Sequence, residues 1–242
     1  MDPQKIARTT GVLLLVTFVT AIPALLLYDP ILKDNGFSTY INGAGADNQI
    51  FLGATLELIL ILANVATALV LFPILKRQNE ILALGYVAAR IVECVFIAVG
   101  ILSVLAVVTL RQDASGADAA TLGLVGQALV AVKDWTFLFG PGFIVGVGNG
   151  LILGYLMYSS GLVPRRTTFF GLVGGPLVCF SGLLVLFGVI GLGSTAQFVF
   201  TIPEIIWELF LGIYLTVKGF KPAPIIAGDL GSDAGPLAPQ PA

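Results

Sequence analysis

The chain of 242 residues contains no histidine. That absence excludes a haem held by two imidazoles, a histidine-ligated zinc hydrolase and every serine–histidine or cysteine–histidine nucleophile pair. Charge is scarce as well. Only 11% of residues are Asp, Glu, Lys or Arg, against about a quarter in soluble domains, while 57% are hydrophobic and the mean hydropathy is +0.99. Lipid, not water, is the solvent that this composition suits. The net charge is −2 and the basic residues are scattered, which leaves no electrostatic footprint for nucleic acid. Cysteine is nearly absent too. Cys94 and Cys179 both lie inside apolar runs, where a thiol acts as a small hydrophobe, so neither a disulfide nor a metal site is expected, and no cofactor.

What is present is a series of long apolar stretches. A helix needs about 20 apolar residues to cross about 30 Å of hydrocarbon. Six stretches qualify, at residues 10–28, 50–75, 81–110, 137–158, 168–192 and 198–217, and they predict an all-α, polytopic transmembrane bundle. The first resembles a signal peptide in its Lys5 and Arg8 flank and its Ala-Ile-Pro-Ala near the end, but the run continues through Leu27 and is long enough to span. Residues 117–134 are moderately apolar, and either lie along the surface or extend the fourth span; Gly140-Pro141-Gly142 is expected to interrupt any such extension. The segment 222–242 is rich in Pro, Gly and Ala and is expected to be disordered.

Lysine and arginine beside the spans predict orientation, since cytoplasmic flanks collect positive charge. Lys5, Arg8, Lys76, Arg77, Arg165, Arg166, Lys218 and Lys221 fall on one side, against Lys33 and Arg111 on the other. Both termini are therefore expected in the cytoplasm. Helices in lipid associate through small residues, and Gly142, Gly146, Gly150 and Gly154 recur every four residues. This groove suits tight packing within the bundle, a second copy of the chain or another membrane protein. Gly171 and Gly175 repeat the spacing in the fifth span, and Pro23, Pro176 and Pro203 predict bends.

Ionisable side chains at mid-membrane depth are costly, and mark either a functional site or a structural ion pair. Five fall there: Glu57 in the second span, Arg90 and Glu93 in the third, and Glu204 and Glu208 in the sixth. Helical rise puts all five in overlapping layers. Matched depth and the guanidinium fork suggest an Arg90–Glu208 pair, with Glu57, Glu93 and Glu204 as a carboxylate excess that carries protons, binds a cation or faces water. Asn64 and Asn149 are the supporting polar groups. Lys133-Asp134-Trp135 reads as an anchor at the membrane surface, which leaves no lysine at mid-span and no Schiff-base site.

Three stretches carry a resemblance: YVAARIVECVFIAVG from Tyr86 to Gly100, NGLILGYLMYSSGLVPR from Asn149 to Arg165, and PEIIWELFLGIYLTVKGF from Pro203 to Phe220. They are similar to the arginine-bearing third helix, the Gly-Tyr-Leu-x-Tyr-x-Ser-Gly-x-x-Pro-Arg turn and the final Glu-bearing helix of a bacterial multi-pass membrane family, the domain of unknown function 4386. The resemblance covers Ala7 to Phe220 and implies about six spans in a bacterial inner membrane, with no assigned activity or catalytic residue. Three functions stay open: a protein that binds or moves a proton, cation or small ligand at the buried charges, a non-catalytic assembly subunit, and a lipid-acting enzyme. No catalytic motif supports the third, so an enzyme is not expected.

Overall fold

The computed structural model describes residues 2–43, 46–113 and 118–227, without the side chains of 34–36. All of its elements are helical: α1 (Pro3–Leu27), α2 (Asp29–Leu32), α3 (Asp34–Asn42), α4 (Asp47–Gln78), α5 (Glu80–Asp113), α6 (Ala119–Phe137), two π-helical stretches (Leu138–Ile144 and Gly146–Leu153), α7 (Gly154–Ser160), α8 (Arg165–Leu186) and α9 (Thr195–Val217). Six helical spans are long and apolar enough to cross a membrane: α1, α4, α5, the continuous stretch Ala119–Ser160, α8 and α9. Helix starts follow local chemistry. The Asp2 carboxylate accepts the Gln4 N–H ahead of Pro3, Asp118 accepts from Ala120 and Thr121, and Ser194 accepts from Gln197.

The fourth and fifth spans differ most from expectation. Residues 119–137 are helical and run without interruption through Gly140-Pro141-Gly142, because the backbone widens into π-helix there and carries on to Ser160. A π-helix has an i→i+5 bond pattern, and the glycines at 140, 146, 148 and 150 let neighbouring helices close on the wider backbone. The fifth span stops at Leu186 although the apolar run reaches Leu192. Gly188 (φ 69°) ends it, with Gly188 N–H donating to Val185 (2.9 Å) and Val189 N–H to Leu184 (2.8 Å). These paired bonds close the last turn, and only glycine adopts that conformation without strain.

The spans form a ring in chain order: α1 packs on α4, α4 on α5, α5 on the fourth span, the fourth on α8, α8 on α9, and α9 back on α1. The start of α1 and the residues after α9 meet at one end of this ring. The Gln4 side chain donates to the Phe220 carbonyl and accepts the Phe220 N–H, each at 3.0 Å. Ile6, Leu71, Ile74, Leu156, Trp207, Leu211 and Leu215 form the core of that end. The start of the segment expected to be disordered joins this core: Pro224–Ile226 make a 3-10 turn and Ile226 is fully buried, since the adjacent Ile225 and Ile226 give this stretch apolar surface to bury. Residues 228–242 lie outside the described residues.

At the opposite end α2 and α3 fold over the bundle, and Phe37, Tyr40 and Ile41 pack with Tyr28, Ile50, Val104 and Val107. Arg111 clamps this cap through Asp47 and the Gly43 carbonyl (3.0 Å), and Tyr40 donates to Asp47 at 2.7 Å. Burial, reinforced by that bond, pushes the Tyr40 hydroxyl up to about 12.

Candidate functional site

Three polar groups interrupt the apolar interior, and each is built from helix geometry. Arg90 and Glu93 stand three residues apart on α5, so they share a face. Arg90 Nη1 donates to Glu93 Oε2 at 2.7 Å and Nη2 donates to Asn64 Oδ1, while Asn64 Nδ2 donates to Glu93 Oε1 at 3.0 Å. The three side chains close a ring of hydrogen bonds and are almost entirely buried. The expected Arg90–Glu208 pair is not formed. Matched depth does not fix the direction in which a side chain points around its helix, and a partner one turn away on the same helix is already positioned. Glu208 nevertheless lies within electrostatic range of Arg90.

The second group was only half legible. Lys133 is buried, not at the surface, and its Nζ donates to both Glu57 oxygens, at 2.6 and 2.8 Å. Tyr28 donates to Glu57 Oε2 at 2.9 Å, and the lysine nitrogen sits 4.9 Å from the Tyr28 ring centroid. Glycines make the room. A methyl at Gly53 would lie 2.8 Å from the Tyr28 ring, and one at Gly100 would lie 2.7 Å from Thr136 Oγ1 and 3.1 Å from Lys133 Cδ. Glu57 therefore belongs to a neutral pair, not to the excess, and a lysine does occupy a span. The signal was available: 119–137 holds few charges, and Gly126, Lys133, Thr136 and Gly140 recur on one buried face. Trp135 remains exposed and stacks on Phe139 at 5.7 Å between ring centroids.

The third group is different in kind. Glu204 and Glu208 are one turn apart on α9. Glu208 accepts from Asn149 Nδ2, and the Asn149 backbone carbonyl in turn accepts from Trp207 Nε1 at 3.0 Å. Glu204 is 2% exposed, and neither of its carboxylate oxygens has a hydrogen-bond partner. The carboxyl lies against bare glycine backbone: a methyl added at Gly150 would sit 2.7 Å from Glu204 Oε2, and one at Gly174 2.8 Å from it. Asn149 Oδ1, Arg90 Nε and the Tyr86 hydroxyl are also buried without partners.

The glycine stripe of the fourth span is thereby accounted for. Gly146, Gly150 and Gly154 face α8, where a methyl on Gly146 would come within 2.7 Å of the Gly175 carbonyl and one on Gly150 would collide with Gly175 Cα. Gly171 and Gly174 open α8 to Trp207 and to the backbone of Glu204. The expectation of a docking face for another protein is corrected at these positions: the chain's own fifth span fills the groove. Gly142 is the exception, its nearest neighbours being Phe137 and Leu138 of its own span.

The charge balance of the buried layer follows. Four carboxylates (Glu57, Glu93, Glu204, Glu208) meet two cations (Arg90, Lys133), and two close pairs consume Glu57 and Glu93. The excess is Glu204 and Glu208.

A family model for a domain of unknown function (DUF4386) matches residues 9–219. The chain belongs to that family. The matched stretch holds every residue of the buried charged layer, and all of the spans except the first turns of α1. No curated protein and no solved structure matches the chain. In this DUF4386 member, then, the arrangement of Glu204, Glu208 and Asn149 is the observation on which a function has to be argued.

Proposed function

We propose that this protein is a non-enzymatic carrier or binder of a proton or small cation within a bacterial plasma membrane, and that Glu204 and Glu208 are the groups that hold the ion. The observation that carries the reading is the Glu204 carboxyl, enclosed between helices with no hydrogen-bond partner for either oxygen. An ionised carboxylate in that position would forfeit several kcal/mol of solvation with nothing to replace it, so the group has to carry a positive counterpart. Arg90 and Lys133 are bonded to Glu93 and Glu57, and neither donates to Glu204.

The reading puts both termini on the cytoplasmic side, supported by the eight-to-two distribution of flanking Lys and Arg, while the bond from Gln4 to Phe220 supports a shared side for the start of α1 and the residues after α9. A fluorescent reporter fused to the C-terminus and found outside the cell would reverse that assignment. The assembly-subunit alternative loses its main support, because the glycine stripe that suggested it is mostly spent on α8. The direct test is flux. Reconstituted protein should dissipate an imposed pH gradient or a sodium or potassium gradient, and Glu204→Gln and Glu208→Gln should abolish that flux while the protein still purifies as a folded species. Equal flux from wild type and both variants would sink the proposal.

A further inference from the structure

Resting on that reading of the Glu204 site, we propose that its occupant is a proton and nothing larger, and that Glu208 is the group to which the proton passes, with Asn149 registering the transfer. Three observations carry the choice. A sodium or calcium ion requires about six oxygen ligands at about 2.3–2.6 Å, whereas the Glu204 carboxyl lies against the backbone of Gly150 and Gly174 and its oxygens find no polar neighbour at bonding distance. Among the described residues no three His, Cys, Asp or Glu side chains converge on a point where an ion could sit. The fit is also tight: methyls on Gly150 and Gly174 would lie 2.7 and 2.8 Å from Oε2, so on that side there is no room for a hydrated cation or an organic ligand. A proton requires none.

The groups facing Glu204 allow the transfer. On its own helix the neighbour is Glu208, one turn on. From α5 the facing charge is Arg90, held by Glu93; from α8 the facing group is the Cys179 thiol. The π-helical stretch contributes the uncharged Asn149, and the ionisable groups of α1, Lys5 and Arg8, are exposed at its far end. Neither Glu204 oxygen has a partner in the resting arrangement, so its carboxyl has to turn toward Glu208 for the transfer. The O–H bond at Glu204 then breaks and one forms at Glu208, no electrons change hands, and a second proton has to replace the first at Glu204, because nothing else there compensates the carboxylate. Asn149 Nδ2–H then donates to a neutral carboxyl instead of an ion. A charge-assisted bond is about twice as strong as a neutral one, so the transfer loosens the link between α9 and the π-helical stretch.

Difference infrared spectroscopy of the protein in liposomes tests this. At neutral pH a protonated-carboxyl carbonyl band should be present, slow to exchange in heavy water, lost in Glu204→Gln and retained in Glu208→Gln. An Asn149 amide signal should appear on acidification and vanish in Glu208→Gln. A missing Glu204 band at neutral pH, or thermal stabilisation of wild type but not Glu204→Gln by sodium or calcium chloride, overturns the inference. The two proposals fail separately: a Glu204 band without flux removes transport and keeps the proton, whereas Glu204-dependent flux without the band removes the proton and keeps the site. Glu204→Gln is near-isosteric, and Glu204→Asp supplies a second variant that should retain a shifted band.

Discussion

The Arg90 and Lys133 groups differ from the Glu204 group in the same way at every level. Where α1, α4, α5 and α6 meet, each carboxylate is answered by a cation and by a further donor: Asn64 for Glu93, Tyr28 for Glu57. Where the π-helical stretch, α8 and α9 meet, glycine backbone takes the place of those partners. Close backbone approach and charge compensation compete for the same volume, because an arginine or lysine needs room that a Gly150–Gly175 contact does not leave. On the proposed reading, an acid pressed against glycine backbone holds a proton, whereas the acids of the other seam are held by a cation.

Substitutions can break or sharpen that contrast. The largest effect is expected from Lys133→Met, which strands Glu57 as a buried charge; removal of one partner of such a pair costs about 3–5 kcal/mol. Reversible unfolding in mixed micelles measures it, and the double variant Glu57→Gln/Lys133→Met should recover most of the loss. If the double variant is as unstable as the single one, the pair is not what compensates Glu57. An intermediate effect, about 1–3 kcal/mol of overpacking, is expected for Gly150→Ala, whose methyl collides with α8. Gly85→Ala is the control, since its methyl would meet only Ile152 Cδ1 at 3.5 Å, and it should be neutral or slightly stabilising. Identical melting of the two alanine variants would remove the close seam from the explanation. The smallest effect belongs to Glu204→Gln, under about 1 kcal/mol, roughly one net hydrogen bond. A loss as large as that of Lys133→Met would mean that Glu204 is balanced by a charge after all.

The spans and the five acidic and basic positions were legible because both follow from a solvation cost that any apolar run displays. Partner choice was not, since it depends on how each helix is rotated and which helix lies beside it. Arg90 illustrates this: its depth matches Glu208, yet the face it shares with Glu93 decided the pair. Lys133 was missed for a related reason. A hydropathy window that started the fourth span at residue 137 left the lysine outside, while the helix begins at Ala119 and tolerates Gly140-Pro141-Gly142 by widening. The overrun of the fifth span to Leu192 has a separate cause, for apolar content cannot reveal that Gly188 turns the chain.

The ring of spans also sets a timetable. Its closing contact joins α1 to α9, where a methyl on Gly11 would lie 2.7 Å from the carbonyl of Gly212, about 200 residues further along the chain. Synthesis proceeds from the N-terminus, so the face of α1 that carries Thr10 and Gly11 emerges before the other five spans and receives its α9 neighbour last. Until α9 has entered the bilayer that face is bathed in lipid or held by a temporary companion. Of the six spans, the first to be made is thus among the last to be finished.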